Sequence, residues 1–149
     1  MNACTYCGLS ANNPRGREKL SLEELELDFK EALKYGATDF CILTGEDPRN
    51  VSPEYLAEAA NIALSITNNL ERLTFNVAPM TVKQFQRIRD KVDHPLQFRV
   101  FQESYDKAVY QKHHPKGPKS VFEFRLAAQE RALQAGFDHV GIGSLLGLN

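Results

Sequence analysis

Asp39-Phe40-Cys41-Ile42-Leu43-Thr44-Gly45-Glu46-Asp47-Pro48 is an apolar run of strand length that breaks into a turn carrying glycine, two acids and proline. An amphipathic helix pattern precedes it. Ser21 and Glu24 have the spacing of a capping box, Leu22, Leu25, Phe29, Ala32 and Leu33 recur at helical intervals, and Gly36 supplies a C-terminal stop. The same grammar continues downstream. Ser52-Pro53-Glu54 starts a helix whose apolar face is Leu56, Ala59, Ala60, Ala63 and Ile66, and Leu73-Thr74-Phe75-Asn76-Val77 follows as a strand halted by Pro79. Thr81 with Gln84 caps a third helix with Val82, Phe85, Ile88 and Val92 on one face; residues 96–103 form the next strand. After a basic loop, His113-His114-Pro115-Lys116-Gly117-Pro118-Lys119, a helix capped by Ser120 with Glu123 runs to Gly136. The last strand spans residues 138–142, and residues 143–149 form an apolar tail.

Helix and strand alternate without a hairpin signal, the mark of βα units and a parallel sheet. The expected fold class is therefore α/β, with about four strands and alternating helices. In such sheets ligand-binding residues stand in the loops beyond the carboxyl ends of the strands. That rule selects Glu46, residues 76–80, residues 102–105 and the tail from Gly141. Residues 1–20 lack apolar periodicity and read as a loop, which occupies the place of a βα loop without a visible strand before it. A sheet cut in this way has two unpaired edges, which natural proteins avoid.

Composition narrows the class. With 149 residues the chain has the length of one domain, and 42% hydrophobic and 25% charged residues mark an ordinary globular protein. A net charge of −1 gives no electrostatic basis for nucleic-acid binding. No apolar run approaches the roughly 20 residues of a membrane span and no signal-peptide pattern opens the chain, so a cytoplasmic protein without membrane partners is expected. Three cysteines are too few, and odd in number, for a disulfide framework.

Cys4-Thr5-Tyr6-Cys7-Gly8 is a Cys-x-x-Cys pair. It fits two thiolate ligands of an iron-sulfur cluster, a dithiol redox pair, half of a zinc site, or two unrelated thiols. The redox reading wants the pair at the start of a helix, and here a polar loop intervenes. Cys41, inside an apolar strand, reads as a small buried hydrophobe. Glu46 and Glu103 close strands where a barrel puts its ligand groups, and Arg125, near the start of the last helix, could grip a carboxylate bidentately. The basic loop could hold an anion at a helix N-terminus, whereas His113 and His114 read as surface residues. A non-catalytic module binding a metal or nucleotide at the strand ends is the alternative to an enzyme.

Taken together, the chain resembles the radical S-adenosylmethionine enzymes, specifically the tyrosine lyases that comprise the hydrogenase maturases and the thiamine-pathway 2-iminoacetate synthases. The matching stretches, in family order, are Cys4-Thr5-Tyr6-Cys7-Gly8, Gly45-Glu46-Asp47-Pro48, Asn76-Val77-Ala78-Pro79-Met80-Thr81-Val82, Phe101-Gln102-Glu103-Ser104-Tyr105, His114-Pro115-Lys116-Gly117-Pro118-Lys119-Ser120 and Val140-Gly141-Ile142-Gly143-Ser144-Leu145-Leu146-Gly147-Leu148. The resemblance implies a partial TIM-like (βα) barrel, a 4Fe-4S cluster, S-adenosylmethionine, L-tyrosine as substrate and an electron donor such as ferredoxin or flavodoxin. It also implies reductive cleavage of S-adenosylmethionine to a 5′-deoxyadenosyl radical, and rupture of the tyrosine Cα–Cβ bond to p-cresol and dehydroglycine. By position, Cys4 and Cys7 match the second and third cluster cysteines and Tyr6 the aromatic residue between them. Glu46 matches the contact to the cosubstrate's amino group, Glu103 the residue near its ribose, Arg125 the residue near its carboxylate, and Gly141 to Gly143 the segment beside the adenine.

Two departures accompany the match. The first cysteine of the family's Cys-x-x-x-Cys-x-x-Cys pattern would fall one position before Met1, and the matched region stops after what would be the fifth barrel strand. Residues 1–149 are thus expected to be a partial radical S-adenosylmethionine core domain, running from the cluster loop through the fifth strand. Alone, it is expected not to support the full radical reaction.

Overall fold

The computed structural model describes residues 1–148. Its elements are α1 (Leu22–Lys34), β1 (Asp39–Leu43), α2 (Pro53–Ser65), β2 (Arg72–Asn76), α3 (Val82–Arg89), β3 (Leu96–Arg99), α4 (Lys107–His113), a 3-10 turn (Pro118–Ser120), α5 (Phe122–Leu126), α6 (Ala128–Gln134) and β4 (His139–Gly141). The four strands form one sheet in the order β1-β2-β3-β4, and every neighbouring pair is parallel. Residues 1–20 contain neither helix nor strand, as expected. Among the described residues no helix is long and apolar enough to cross a membrane.

The caps are where residue chemistry puts them. Ser21 and Glu24 close a reciprocal capping box on α1, Thr81 and Gln84 do the same on α3, and Ser52 caps α2 with Pro53 in its first turn. Gly36 ends α1 in the left-handed conformation, at φ 79°. The last helix departs from expectation. Gly117 and Pro118 start a 3-10 turn that takes Ser120, whose Oγ donates to the Gly117 carbonyl at 2.7 Å. Glu123 pairs with Lys107 instead of capping, and the helix begins at Phe122 and breaks at Ala127 into α5 and α6. A further helix, α4, was not expected from the sequence. Asp106 Oδ1 caps it by accepting from the Ala108 and Val109 amides. β3 is shorter than the expected 96–103, yet pairing resumes in a bridge between Glu103 and Ser144.

One face of the sheet is packed and the other is open. Phe40, Ile42, Leu73, Phe75, Leu96 and Phe98 are buried against the helices. The alternate positions of β1, Asp39, Cys41 and Leu43, are exposed. Cys41 is therefore not the buried hydrophobe that its apolar neighbours suggested: Phe40 and Ile42 hold the helix-facing positions, and the two-residue period turns the thiol to the open face. On that face Thr74 Oγ1 donates to Gln97 Oε1 across β2 and β3 at 2.9 Å. Ala57, Ala59, Ala60 and Ala63 are wholly inaccessible, so α2 seats its small side chains in the core.

At the centre, Phe85 on α3 meets Phe98 edge-on at a centroid distance of 4.7 Å and Phe137 at 5.3 Å. All three are buried. Phe85→Ala is expected to lower unfolding free energy by about 3–5 kcal/mol, because the cavity is walled by two rings held by other elements. Urea denaturation followed by far-UV circular dichroism measures it; a loss below ~1 kcal/mol would mean that the ring does not anchor this core.

Candidate functional site

The carboxyl ends of all four strands point the same way, since the sheet is parallel. Residues 44–47, 76–80, 100–105 and 141–148 therefore gather on one rim. The N-terminal loop lies across it, held by hydrogen bonds from the Ala3 amide to the Lys116 carbonyl at 2.9 Å and from the Thr5 amide to the His113 carbonyl at 3.1 Å. Gly117 makes this approach possible. A Cβ there would stand 2.7 Å from the Met1 carbonyl oxygen and from Asn2 Oδ1, and its φ of 101° already favours glycine.

Two largely buried ion pairs occupy the rim. Arg125 Nη1 donates to Glu46 Oε1 at 2.5 Å while Nε donates to the Phe101 carbonyl at 2.8 Å, and the two side chains are 5% and 12% exposed. The structure thus brings Glu46, which the strand-end rule selected, together with Arg125, read from its place on the last helix. Glu46 Oε2 is buried and has no hydrogen-bond partner. Such an atom is an unmet acceptor, suited to an ammonium or another donor arriving from outside the chain. Arg125, on the other hand, is a planar multiple donor suited to a carboxylate. The pair thus presents, side by side, complements to both ends of an α-amino-acid head group.

The second pair is Glu103 with Lys119, 2.6 Å apart. Glu103 adopts φ 70°, the left-handed region that costs a non-glycine residue about 1–3 kcal/mol and persists where its surroundings hold it. The holding contacts are the Lys119 ammonium, the bridge to Ser144 and the Leu145 amide, which donates to the Glu103 carbonyl at 2.8 Å. Lys119 is buried at 8% exposure, so the basic loop contributes an internal cation and not a free anion site. Neither Lys119 nor its pairing was singled out from the sequence. The one hint in the sequence is its place directly after Gly117-Pro118.

Cys4 and Cys7 both carry free thiols, Cys4 buried and Cys7 half-buried. Burial pushes the Cys4 thiol up, contrary to the lowered value that a nucleophilic dithiol requires. The pair also stands well before α1, not at its N-terminus. Cys7 Sγ accepts from the Leu9 amide at 3.3 Å, a donor that favours a thiolate or metal-bound sulfur. These two soft sulfurs fit an iron-sulfur cluster as part of its ligand set. Among the described residues no group of three or more His, Cys, Asp or Glu is placed to hold a metal, and Cys41 stands on β1.

Tyr6, between the cysteines, turns its hydroxyl to His114 Nε2 at 2.8 Å, and the Lys119 ammonium lies 5.8 Å from its ring centroid. Burial and the nearby Glu103 hold the phenol protonated, well above its ordinary range. His114 corrects the expectation of a surface residue. It is 1% exposed because Tyr110 packs on its ring at 4.1 Å, and burial lowers its pKa to about 4. Gly141 and Gly143 lie at the end of β4, where a Cβ would stand 2.9 Å from the Arg99 side chain and 2.7 Å from the Phe101 ring. In the structure, Arg99 of β3 and Phe101 just beyond it make the close approach at these glycines.

Comparison with known proteins places this arrangement. The Radical SAM superfamily matches residues 1–149. The chain is 30% identical over 149 residues to 2-iminoacetate synthase of Salmonella typhimurium and 29% identical to that of Escherichia coli, covering 99% of this chain but 38% of each relative. It thus spans well under half the length of the curated relatives it matches. Among solved structures, HydG, a maturase of FeFe-hydrogenase, superposes with a TM-score of 0.91 at 30% identity, over 100% of this chain and 33% of that one. HydG of Carboxydothermus hydrogenoformans gives 0.88 at 37% identity, over 99% of this chain and 34% of that one. Methylornithine synthase PylB, at 24% identity, 0.82 and 42% of that chain, bears on the fold alone. The four-stranded parallel sheet with one open face is accordingly a TIM-like partial barrel wall, and the chain belongs to the radical S-adenosylmethionine superfamily of iron-sulfur enzymes.

Proposed function

We propose that this chain is the partial core domain, over residues 1–149, of a cytoplasmic lyase that cleaves the Cα–Cβ bond of L-tyrosine to p-cresol and dehydroglycine, using a 4Fe-4S cluster and S-adenosylmethionine. The observation that carries it is the unpartnered, buried Glu46 Oε2 beside the Arg125 guanidinium. An amino-acid head group meets both charges of that pair at once. In this reading Cys4 and Cys7 hold iron, Glu46 accepts from the cosubstrate's ammonium, and Arg125 faces its carboxylate. Glu103 serves the ribose hydroxyls, held by Lys119. Tyr6 and the Gly141 to Gly143 segment border the remainder. When bound, the cluster supplies the electron that cleaves the sulfonium, which is delivered by a donor such as ferredoxin or flavodoxin.

The chain's own residues perform binding and exclusion. Burial strengthens the Glu46 and Arg125 charges by keeping water away, and the ion pair keeps each oriented before a ligand arrives. Binding then exchanges one ion pair for two, so neither charge is left unpaired. The tyrosine assignment is supported by the likeness over the full chain to 2-iminoacetate synthases.

Loaded anaerobically with iron and sulfide, the chain is expected to turn brown and retain iron through gel filtration, and Cys4→Ser with Cys7→Ser to lose it. Iron retention that is unchanged in the double variant would remove the cluster assignment. On the loaded chain, Glu46→Gln is expected to weaken S-adenosylmethionine binding by about 10- to 100-fold in calorimetry, the worth of a hydrogen bond to a charged group. Equal affinity, with the variant's melting temperature preserved, would take Glu46 out of the binding site. For the substrate, this chain can replace the matching segment of the Escherichia coli 2-iminoacetate synthase. The chimera is expected to release p-cresol from L-tyrosine; 5′-deoxyadenosine without p-cresol would sink the tyrosine assignment while leaving the superfamily chemistry.

A further inference from the structure

The His113–His114 pair has no part in the binding roles above, yet both rings are fixed. The His114 Nδ1 lies 2.7 Å from the Tyr110 carbonyl oxygen, which can only accept. Nδ1 therefore carries the proton. Burial lowers the ring's pKa to about 4 and so keeps it neutral at pH 7; Nε2 is then a bare lone pair, placed 2.8 Å from the Tyr6 hydroxyl, which donates to it. Tyr110 itself is inaccessible and donates its hydroxyl to the Lys119 carbonyl, so the imidazole rests on a ring that cannot shift. Tyr6 meets it edge-on, at 5.6 Å and 86°.

One residue earlier the logic is mirrored. His113 Nε2 donates to the Leu148 carbonyl at 2.7 Å, which leaves Nδ1 to accept from Thr5 Oγ1 at 2.6 Å. Consecutive histidines of opposite tautomer thus grip consecutive residues of the loop, Thr5 and Tyr6. Further contacts run alongside: the Asn2 side-chain Oδ1 accepts from the Lys119 amide at 2.7 Å, beside the Ala3 and Thr5 amide bonds already described. The gripped residues are the two between Cys4 and Cys7.

We propose that His114 is a positioning residue for the cysteine loop: as a fixed Nδ1–H tautomer it takes the Tyr6 hydroxyl and thereby holds the Cys4-to-Cys7 turn in one conformation, with His113 doing the same at Thr5. His114 acts through Tyr6 and touches neither thiol. The purpose assigned here rests on the reading of Cys4 and Cys7 as metal ligands, but the clamp itself is a property of the metal-free chain.

That separation supplies the test. Cys4 is buried, Cys7 half-buried and Cys41 exposed on another element, so iodoacetamide labelling of the metal-free chain, resolved by peptide mass spectrometry, has an internal reference. His114→Phe keeps an aromatic ring but removes both the acceptor for Tyr6 and the Nδ1–H donor to Tyr110; Tyr6→Phe removes only the hydroxyl of a residue at the surface and should not disturb folding. Each is expected to speed Cys4 labelling about tenfold relative to Cys41, as local opening of the loop becomes easier. Adding Tyr6→Phe to His114→Phe should speed it no further, since the bond that the second change cuts is already gone. His114→Gln, whose Oε1 can stand where Nε2 stood, should restore the slow rate. A Cys4 rate that is unchanged in Tyr6→Phe, or a Gln variant no slower than the Phe variant, overturns the proposal. Iron retention reports separately. A working clamp in a chain that binds no iron leaves the inference standing and removes the cluster reading; iron binding with unaltered labelling does the reverse.

Discussion

Two largely covered carboxylates at the ends of parallel strands, each paired with a buried cation, set the terms for the rest of this structure. Glu46 follows β1 and Glu103 follows β3, while Arg125 and Lys119 come from one later segment. Leaving either charge unpaired in this low-water setting is destabilising, which favours the return of the later segment to the rim. That return fixes the Pro118–Ser120 turn, the start of α5 and the seat of the N-terminal loop at once. The sheet supplies direction and the ion pairs supply the clasp. Buried pairs seldom add net stability compared with apolar residues of the same size, which makes their retention at two adjacent places a statement about the site more than about the core.

The open face of the sheet has the same logic. Parallel sheets usually have both faces covered, and here α1, α2, α3 and α6 cover one. The other carries Cys41, Leu43, Asn76, Gln97 and Arg99, a mixture too polar for a second helical layer and suited to the inside of a barrel wall. The rim above that face is where the paired charges stand. A ligand held by Glu46 and Arg125 would therefore sit at the mouth of the barrel, with its far end free to extend over the open face.

Much of this was legible in the residues. Alternating helix and strand patterns, three of the four expected caps and the strand-end positions of Glu46 and Glu103 are local facts, and local chemistry decided them. Cys41 was misread because an apolar run does not tell which face of a strand is covered; only the two-residue period, applied from Phe40 and Ile42, separates them. Ser120 and Glu123 have the spacing of a capping box, but Gly117 and Pro118 engage Ser120 first and Lys107 engages Glu123. α4 has a legible cap in Asp106 but too short an apolar pattern to show a period. His114 and Lys119 were hidden for a different reason. Lys119 is buried against Glu103, which lies well before it in sequence, and His114, one helical turn after Tyr110, also needs Tyr6 from the opposite end of the chain, so no window along the chain holds all the partners.

Glu103 shows why such a site resists reading from sequence alone. Extended backbone at this position would continue the alternation of β3; the left-handed turn breaks it and delivers the carboxylate to Lys119. Glycine would take that conformation at no cost, and yet glycine has no carboxylate. The position therefore carries a residue chosen for charge in a conformation suited to another residue type, and the cost of about 1–3 kcal/mol is offset by its ion pair, its bridge to Ser144 and the Leu145 amide. Conflict between local preference and the adopted conformation is expected where a site, not the core, dictates the residue. Glu103 is the only non-glycine residue with positive φ among the described residues, and it stands at the rim. The backbone alone thus points to the same end of the sheet as the charges do.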